Sequence, residues 1–341
     1  MKNNILYLVL FLVLLAVAGW LITENRGSGT LDKDGKERYA FSIKDTADID
    51  KIIIKDKNPR QVILKRQSNH WTVNSEHRAR KDAIRILLET LYRMEMRNFI
   101  EERMQETVIK RMTVYGKEVQ VFKNGKLFKT YYVGTEAQDE MATYMLIKGS
   151  DQPFAVHIPG FNGYLSSRFF TEEHLWRSRD VITMNPRNIR SVEMYYPDSA
   201  DASFKLHVFS PDSLYITNLR SGEVLRNRDK VKTNLFLNAF KNLKYEGLIV
   251  PSDPIYGRRD SLLASTPVFR MELTDVDGKT TSLSGYRIKG NAEMEMLEPD
   301  MERRDYDVDR MHGFINDEQM VLLQYYGLSS ILKPRQYFLK N

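Results

Sequence analysis

EVQVFKNGKLFKTYYV, Glu118–Val133, decides the fold: two strand-like runs, Glu118–Lys123 and Leu127–Val133, meet at Asn124-Gly125. A two-residue hairpin turn needs positive φ at both central positions, and Asn-Gly supplies it, so the two runs pair as an antiparallel hairpin. Upstream, short β-branched runs at Tyr39–Ile43, Lys51–Lys55, Gln61–Arg66 and His70–Val73 predict further strands, with Asn58-Pro59 marking a turn. Ile84, Leu87, Leu88, Leu91 and Met94 recur at helical spacing and predict an amphipathic helix over about Lys81–Met96. A shorter helix is expected near Glu106–Met112, and strands return at Thr143–Ile147 and Pro153–His157.

The same series is then played again. Arg190–Tyr196, Phe204–Phe209 and Leu214–Thr217 read as strands, Phe236, Ala239, Phe240 and Leu243 restore the helical period, and Val268–Thr274 with Thr280–Ile288 flank Asp277-Gly278 as a second hairpin. Trp71 to Tyr215 is 144 residues, Leu91 to Phe240 is 149 and Gly125 to Gly278 is 153, a drift of the kind loop insertions produce. A period this long describes two copies of one domain rather than a solenoid. The expected architecture is α+β: two similar antiparallel-sheet-plus-helix units, 39–157 and 185–341, joined by a connector at 158–184.

Ahead of both units, Ile5–Ile22 (ILYLVLFLVLLAVAGWLI) runs for 18 residues without a charge. As a helix it reaches roughly 27 Å, close to the hydrocarbon thickness of a bilayer. Residues 1–26 are therefore expected to be a transmembrane anchor, and the polar stretch 27–38 (GSGTLDKDGKER) a tether. A cleaved signal is the competing reading, since Ala16-Val17-Ala18 precedes Gly19, but the apolar run continues through Trp20, Leu21 and Ile22. The charges flanking the span are few on both sides, and the four-residue head is too short to host function. The body is thus expected outside the cytoplasm, on the periplasmic or exterior face of a bacterial membrane.

The composition, 42% hydrophobic and 11% aromatic, allows two substantial cores. The absence of cysteine excludes disulfides, thiolate chemistry and a lipid-anchored cysteine. Net charge is +5 over 27–180 and zero over 181–341, without the concentrated basic face of a nucleic-acid binder. The densest basic run, Arg78, Arg80, Lys81 and Arg85, falls where a helix begins and reads as a solvated face.

The segments IDKIIIKD, WTVNSEHRARKDAIRILLETL, KTYYVGTEAQDEMATYMLIKG, FAVHIPGFNGYLSSRFF with LWRSRD, and VDRMHGFIND with LLQYYGLSSILKP resemble a bacterial family known as domain of unknown function 4340. The resemblance spans Tyr39 to the C-terminus. It implies an anchored, extracytoplasmic body of the kind found with the accessory, gliding-type components of ABC transport systems, and it supplies no catalytic residues.

The residues themselves carry no catalytic signature. Histidines at 70, 77, 157, 174, 207 and 312 have no metal-ligand spacing, so neither metal nor cofactor is expected. Asp305, Asp307 and Asp309 imitate the start of a calcium loop, but Arg310 stands where glycine is needed and Asn316 where the bidentate glutamate is needed. Alternation instead puts the three aspartates on one solvated strand face. There is no GxSxG, P-loop or GxGxxG; Ser166 and Ser167 with His157 and His174 are the one set from which a hydrolase could be assembled.

The connector has the most unusual local composition, with Phe161, Tyr164, Phe169, Phe170 and Trp176 beside Arg168, Arg177 and Arg179. Two readings follow. Phe161, Tyr164, Arg168, Trp176 and Arg177 form a partner or sugar-binding surface, since aromatics and arginine dominate binding hot spots; or the rings are a buried wedge between the repeats, the preferred reading. The function expected is a non-enzymatic accessory or interaction component of a cell-envelope complex, with a membrane and an envelope protein as partners. A cell-envelope hydrolase and a carbohydrate-binding module are the alternatives.

Overall fold

The computed structural model describes residues 40–58, 60–150, 152–210, 213–290 and 305–340. The expected anchor and tether lie outside these residues, and among the described residues no helix is long and apolar enough to cross a membrane.

In chain order the strands are β1 (Ile49–Lys55), β2 (Gln61–Arg66), β3 (Trp71–Val73) and β4 (His77–Arg78), followed by helix α1 (Lys81–Arg93), β5 (Glu95–Phe99) and α2 (Glu102–Tyr115). Then come β6 (Lys117–Lys123), β7 (Lys126–Glu136), β8 (Thr143–Ile147), β9 (Phe154–His157), α3 (Glu173–Trp176) and β10 (Asp180–Ile182). The remainder is β11 (Ile189–Tyr195), β12 (Phe204–Val208), β13 (Leu214–Asn218), α4 (Lys230–Ala239), β14 (Leu243–Lys244), β15 (Gly247–Leu248), α5 (Arg259–Leu263), β16 (Phe269–Asp275), β17 (Thr280–Lys289), β18 (Tyr306–Ile315), β19 (Gln319–Gln324) and α6 (Tyr325–Leu328).

The chain divides into two compact units, one from the described residues of Met1–Glu76 and Lys81–Glu172, the other from His77–Arg80 and Glu173–Asn341. The expected connector is therefore no separate piece. Its aromatic first half belongs to one unit and its Trp176 end to the other. His77–Arg80 joins the second unit through backbone bonds: Ser178 N–H donates to Arg78 O, Arg80 N–H donates to Trp176 O, both at 2.7 Å, and Ala79 bridges Arg177.

Both units are α+β, each built on one large antiparallel sheet. In the first unit the strand order is β3-β2-β1-β6-β7-β8-β9-β5, and in the second β13-β12-β11-β16-β17-β18-β19-β15. The orders match strand for strand. The registers match as well, down to an irregularity: β1 pairs β6 through Ile49↔Lys123 and then Lys51↔Phe122, β11 pairs β16 through Ile189↔Asp275 and then Ser191↔Thr274, each with a bulge after the first residue.

These registers place Ile52 with Val192, Leu64 with Leu206, and Val73 with Ile216 as equivalent positions. They also correct one expected equivalence. Arg66 pairs Trp71 where Val208 pairs Leu214, so Trp71 corresponds to Leu214, and Tyr215 is one residue out of register. A one-residue slip turns a side chain to the other face, which is why Trp71 is buried and Tyr215 is 38% exposed.

On the core face each sheet is covered by its helix. Ile84, Leu87, Leu91 and Met94 in the first unit stand where Thr233, Phe236, Phe240 and Leu243 stand in the second, all buried. The end of each helix also accepts a backbone bond from the segment ahead of the first strand, Ile43 N–H to Leu91 O and Met184 N–H to Phe240 O. That bond displaces an expected strand. Ala40–Ile43 is irregular because its backbone is tied to a helix end and, at Phe41 O, to the Tyr131 hydroxyl at 2.6 Å. The opposite face carries a small cluster in each unit, Val108 and Met112 of α2 with Tyr144 in one, Leu262 and Leu263 of α5 with Phe314 in the other.

Volume is exchanged between equivalent sites. The second unit has Phe269 where the first has Lys117, and it has Gly285 and Gly313, a cross-strand pair, where the first has Val133 and Met145. A Cβ on Gly285 would lie 2.4 Å from the Phe269 ring and 2.5 Å from Met311 Sδ, so the glycine is what admits the ring.

Leu91→Ala is expected to cost about 2–5 kcal/mol and Phe240→Ala about 3–5 kcal/mol in denaturant unfolding. Gly285→Ala is expected to cost about 1–3 kcal/mol through overpacking. Changes under about 0.5 kcal/mol would show that these positions are not close-packed.

Candidate functional site

The connector residues are divided between the two units. Phe161, Tyr164 and Arg168 belong to the first unit, Trp176 and Arg177 to the second. The Arg168 guanidinium lies 4.3 Å from the Phe161 ring centre and donates from Nη1 to Thr90 Oγ1 at 2.9 Å. Burial lowers its pKa, against the opposing pull of Glu89. Tyr164 is the exposed member of the group, at 38%. Trp176 is fully buried, so its ring is a packing element and offers no surface to a ligand, while Arg177 is held through its backbone bridge to Ala79.

The other candidates are also dispersed. Neither Ser166 nor Ser167 hydrogen-bonds His157, which lies 3.8 Å from Glu95. Asp307 Oδ1 accepts the backbone N–H groups of Asp309 and Arg310 at 2.8 and 2.9 Å, so the acidic triplet closes on its own backbone. Among the described residues no group of three His, Asp or Glu is placed to hold a metal ion. His207 stacks on Tyr215 with centroids 4.5 Å apart, and Tyr215 on Phe209 at 5.7 Å, an aromatic row along β12 and β13.

The second unit has a cavity at a position that the first unit fills with a large side chain. In the first, Arg66 at the end of β2 donates from Nε to Ile49 O at 2.6 Å and from Nη2 to Thr46 O at 2.9 Å, and its guanidinium lies 4.7 Å from the Trp71 ring centre. Desolvation pulls its pKa down, and the Asp50 carboxylate pushes it back up. The strand registers put Val208 at the Arg66 position and Leu214 at the Trp71 position in the second unit. Both replacements are much smaller. At the position of the guanidinium the other unit has a partly open cavity of about 240 Å³ lined by Pro186, Ile189, Val208 and Leu237, with Asn185, Asn234, Asn238, Arg187 and Lys241 among the polar residues; Leu214 is not part of the lining.

The loop that forms one wall is built the same way twice. Thr46–Asp48 and Pro186–Asn188 are single 3₁₀ turns immediately ahead of β1 and β11, preceded by Asp45 and Asn185 respectively. Asn185 Oδ1 accepts Arg187 N–H at 3.1 Å and fixes the turn. No sequence motif marks this cavity. Its signal is a subtraction, the missing Arg and Trp, visible once the two units are laid on one register.

Comparison of the chain with protein-family models, with characterised proteins and with solved structures finds no match.

Arg66→Ala is expected to open the corresponding space in the first unit and to cost about 1–3 kcal/mol, because two backbone carbonyls lose a charged donor. Trp176→Ala is expected to cost about 3–5 kcal/mol. A melting midpoint left unchanged by the Trp176 variant, with loss of partner capture, would return that residue to the binding surface.

Proposed function

We propose that this chain is a non-enzymatic accessory component of a bacterial cell-envelope complex, tied to the membrane by Ile5–Ile22, in which one unit of a duplicated pair is structural and the other recognises. The observation that carries this reading is the contrast between the plugged first unit and the open second unit. Two copies of one topology share strand order, bulge and helix position, so the copy with a cavity is the one free to specialise. Binding sites are concave and combine apolar surface with fixed polar groups, and the second unit's cavity sets Ile189, Val208 and Leu237 beside Asn185, Arg187 and Lys241. The uncharged span supports the envelope placement.

The hydrolase reading draws no support from Ser166 and Ser167, since an acyl-transfer nucleophile needs a base within hydrogen-bond reach. The sugar-binding reading would rest on the exposed Phe209 and Tyr215 rings, which are stacked on each other.

Two measurements test the proposal. A reporter joined after Asn341 is expected to score as extracytoplasmic, with the protein retained in membranes after carbonate washing; cytoplasmic reporter activity overturns the placement. Photo-crosslinkers placed at Asn234 and Lys241 are expected to capture an envelope protein or ligand from native membranes, and crosslinkers at the equivalent Arg85 and Tyr92 to capture nothing. Equal capture from both sets would remove the division of labour.

A further inference from the structure

The cavity of the second unit differs from its counterpart in charge as well as in volume. By the shared registers and helix positions, Asp45 and Glu89 of the first unit become Asn185 and Asn238, while Ala47 and Tyr92 become Arg187 and Lys241. The flanking Asp50 becomes Arg190. At these positions the first unit carries two acids that pair elsewhere, Glu89 with Arg93 and Arg85 and Asp45 with Lys123, while Asp50 acts on the Arg66 guanidinium. The second unit's cavity has lost these acids together with two cations, Arg85 becoming Asn234 and Arg66 becoming Val208, and has gained Arg187 and Lys241, so its lining passes from balanced charge to net positive.

This reversal decides what kind of occupant fits. Had only Arg66 been lost, the remaining space would suit an arginine-like cation supplied from outside. With Asp45 and Glu89 replaced by amides, and with Arg187 and Lys241 in place of Ala47 and Tyr92, a cation is repelled and an anion attracted. The floor is apolar: Ile189 and Leu237 are buried and Val208 lies beside them. An inorganic anion, strongly hydrated, gains nothing from such a floor.

We propose that the second unit's cavity binds a small organic carboxylate, its apolar body against Ile189, Val208 and Leu237 and its carboxylate toward Arg187 and Lys241. The inference rests on the reading of the second unit as the recognising half, and it names the ligand class. The space of about 240 Å³ suits a short aliphatic or single-ring acid. A free metabolite and an acidic group of a partner protein share this chemistry; the enclosed apolar floor favours the free acid.

The test is calorimetric titration of the full-length protein in a non-ionic detergent with hexanoate, benzoate, hexanamide and hexylammonium. Saturable binding of the two carboxylates is expected, with neither the amide nor the amine bound. Lys241→Glu, an exposed change that leaves the core intact, is expected to weaken carboxylate binding about tenfold or more. Val208→Arg, which restores the residue of the first unit, is expected to abolish it. Binding of hexanamide as strong as that of hexanoate, or hexanoate binding unaffected by Lys241→Glu, overturns the assignment. If no carboxylate binds while the crosslinkers at Asn234 and Lys241 still capture a membrane protein, the ligand class fails and the division of labour between the units survives. Failure of both measurements removes the recognising role itself.

Discussion

The pairing of the first strand of each unit with the strand that follows its helices is the constraint on which the rest depends. β1 and β6 are separated in sequence by three strands, two helices and the edge strand β5, yet Ile52 lies against Val121, and Val192 lies against Leu273 in the second unit. Such a pairing must be held by burial, because the closure entropy of a long excursion opposes it. Both central strands are accordingly apolar on the core face, Ile49, Ile52 and Ile54 in one and Ile189, Val192 and Met194 in the other, all at or near zero exposure. A slip of one residue would turn each of these sets outward, so the register is strongly specified. Once it is set, the hairpins add strands on one side, the bulge fixes where the pairing ends, and the helix has one face to cover.

The same register is what gives a difference between the units its meaning. Two sheets of equal topology can be compared position by position, and most differences are neutral exchanges of volume, as with Lys117, Val133 and Met145 against Phe269, Gly285 and Gly313. The exchange at Arg66 and Trp71 is not neutral. Val208 and Leu214 replace two large, mutually stacked side chains without compensation from the helix, since Leu237 of α4 stands where Leu88 stands in α1. An uncompensated loss leaves lining atoms without contacts and costs stability. A cavity maintained at that cost in one unit, and filled in the other, is the kind of local inconsistency expected of a functional site.

Much of this fold was legible in the chain, and the exceptions have physical causes. Hairpins were legible because Asn124-Gly125 and Asp277-Gly278 carry backbone chemistry: Asn124, Gly125 and Gly278 all adopt positive φ. The helix faces were legible because Leu87 and Leu91, Phe236 and Phe240 keep their period. Edge strands were not. Glu95–Phe99 is a polar, largely exposed run that pairs on one side only, so it lacks the alternation by which strands are recognised, and the expected helix, to about Met96, overlaps its first two residues. The aromatic connector was ambiguous for the opposite reason. Its composition is that of a binding surface, but large rings also serve interiors, and only the burial of Trp176 separates the two.

The site itself was out of reach of pattern reading because it consists of what is missing. A motif search finds residues that perform chemistry, whereas this cavity is defined by an arginine and an indole that one copy retains and the other lacks. Its electrostatics are equally relational. Arg187 and Lys241 are ordinary exposed cations, unremarked in a chain with 51 lysines and arginines, until they are set against Ala47 and Tyr92. Asn185 reads as a turn residue, and it is one, but in place of Asp45 it also removes a carboxylate from the wall. Duplication supplies the reference state that a single domain lacks: the first unit shows how this fold closes the space, and the loss of Asp45 and Glu89 with the gain of Arg187 and Lys241 outweighs the loss of Arg85 and reads as a preference for anions over cations.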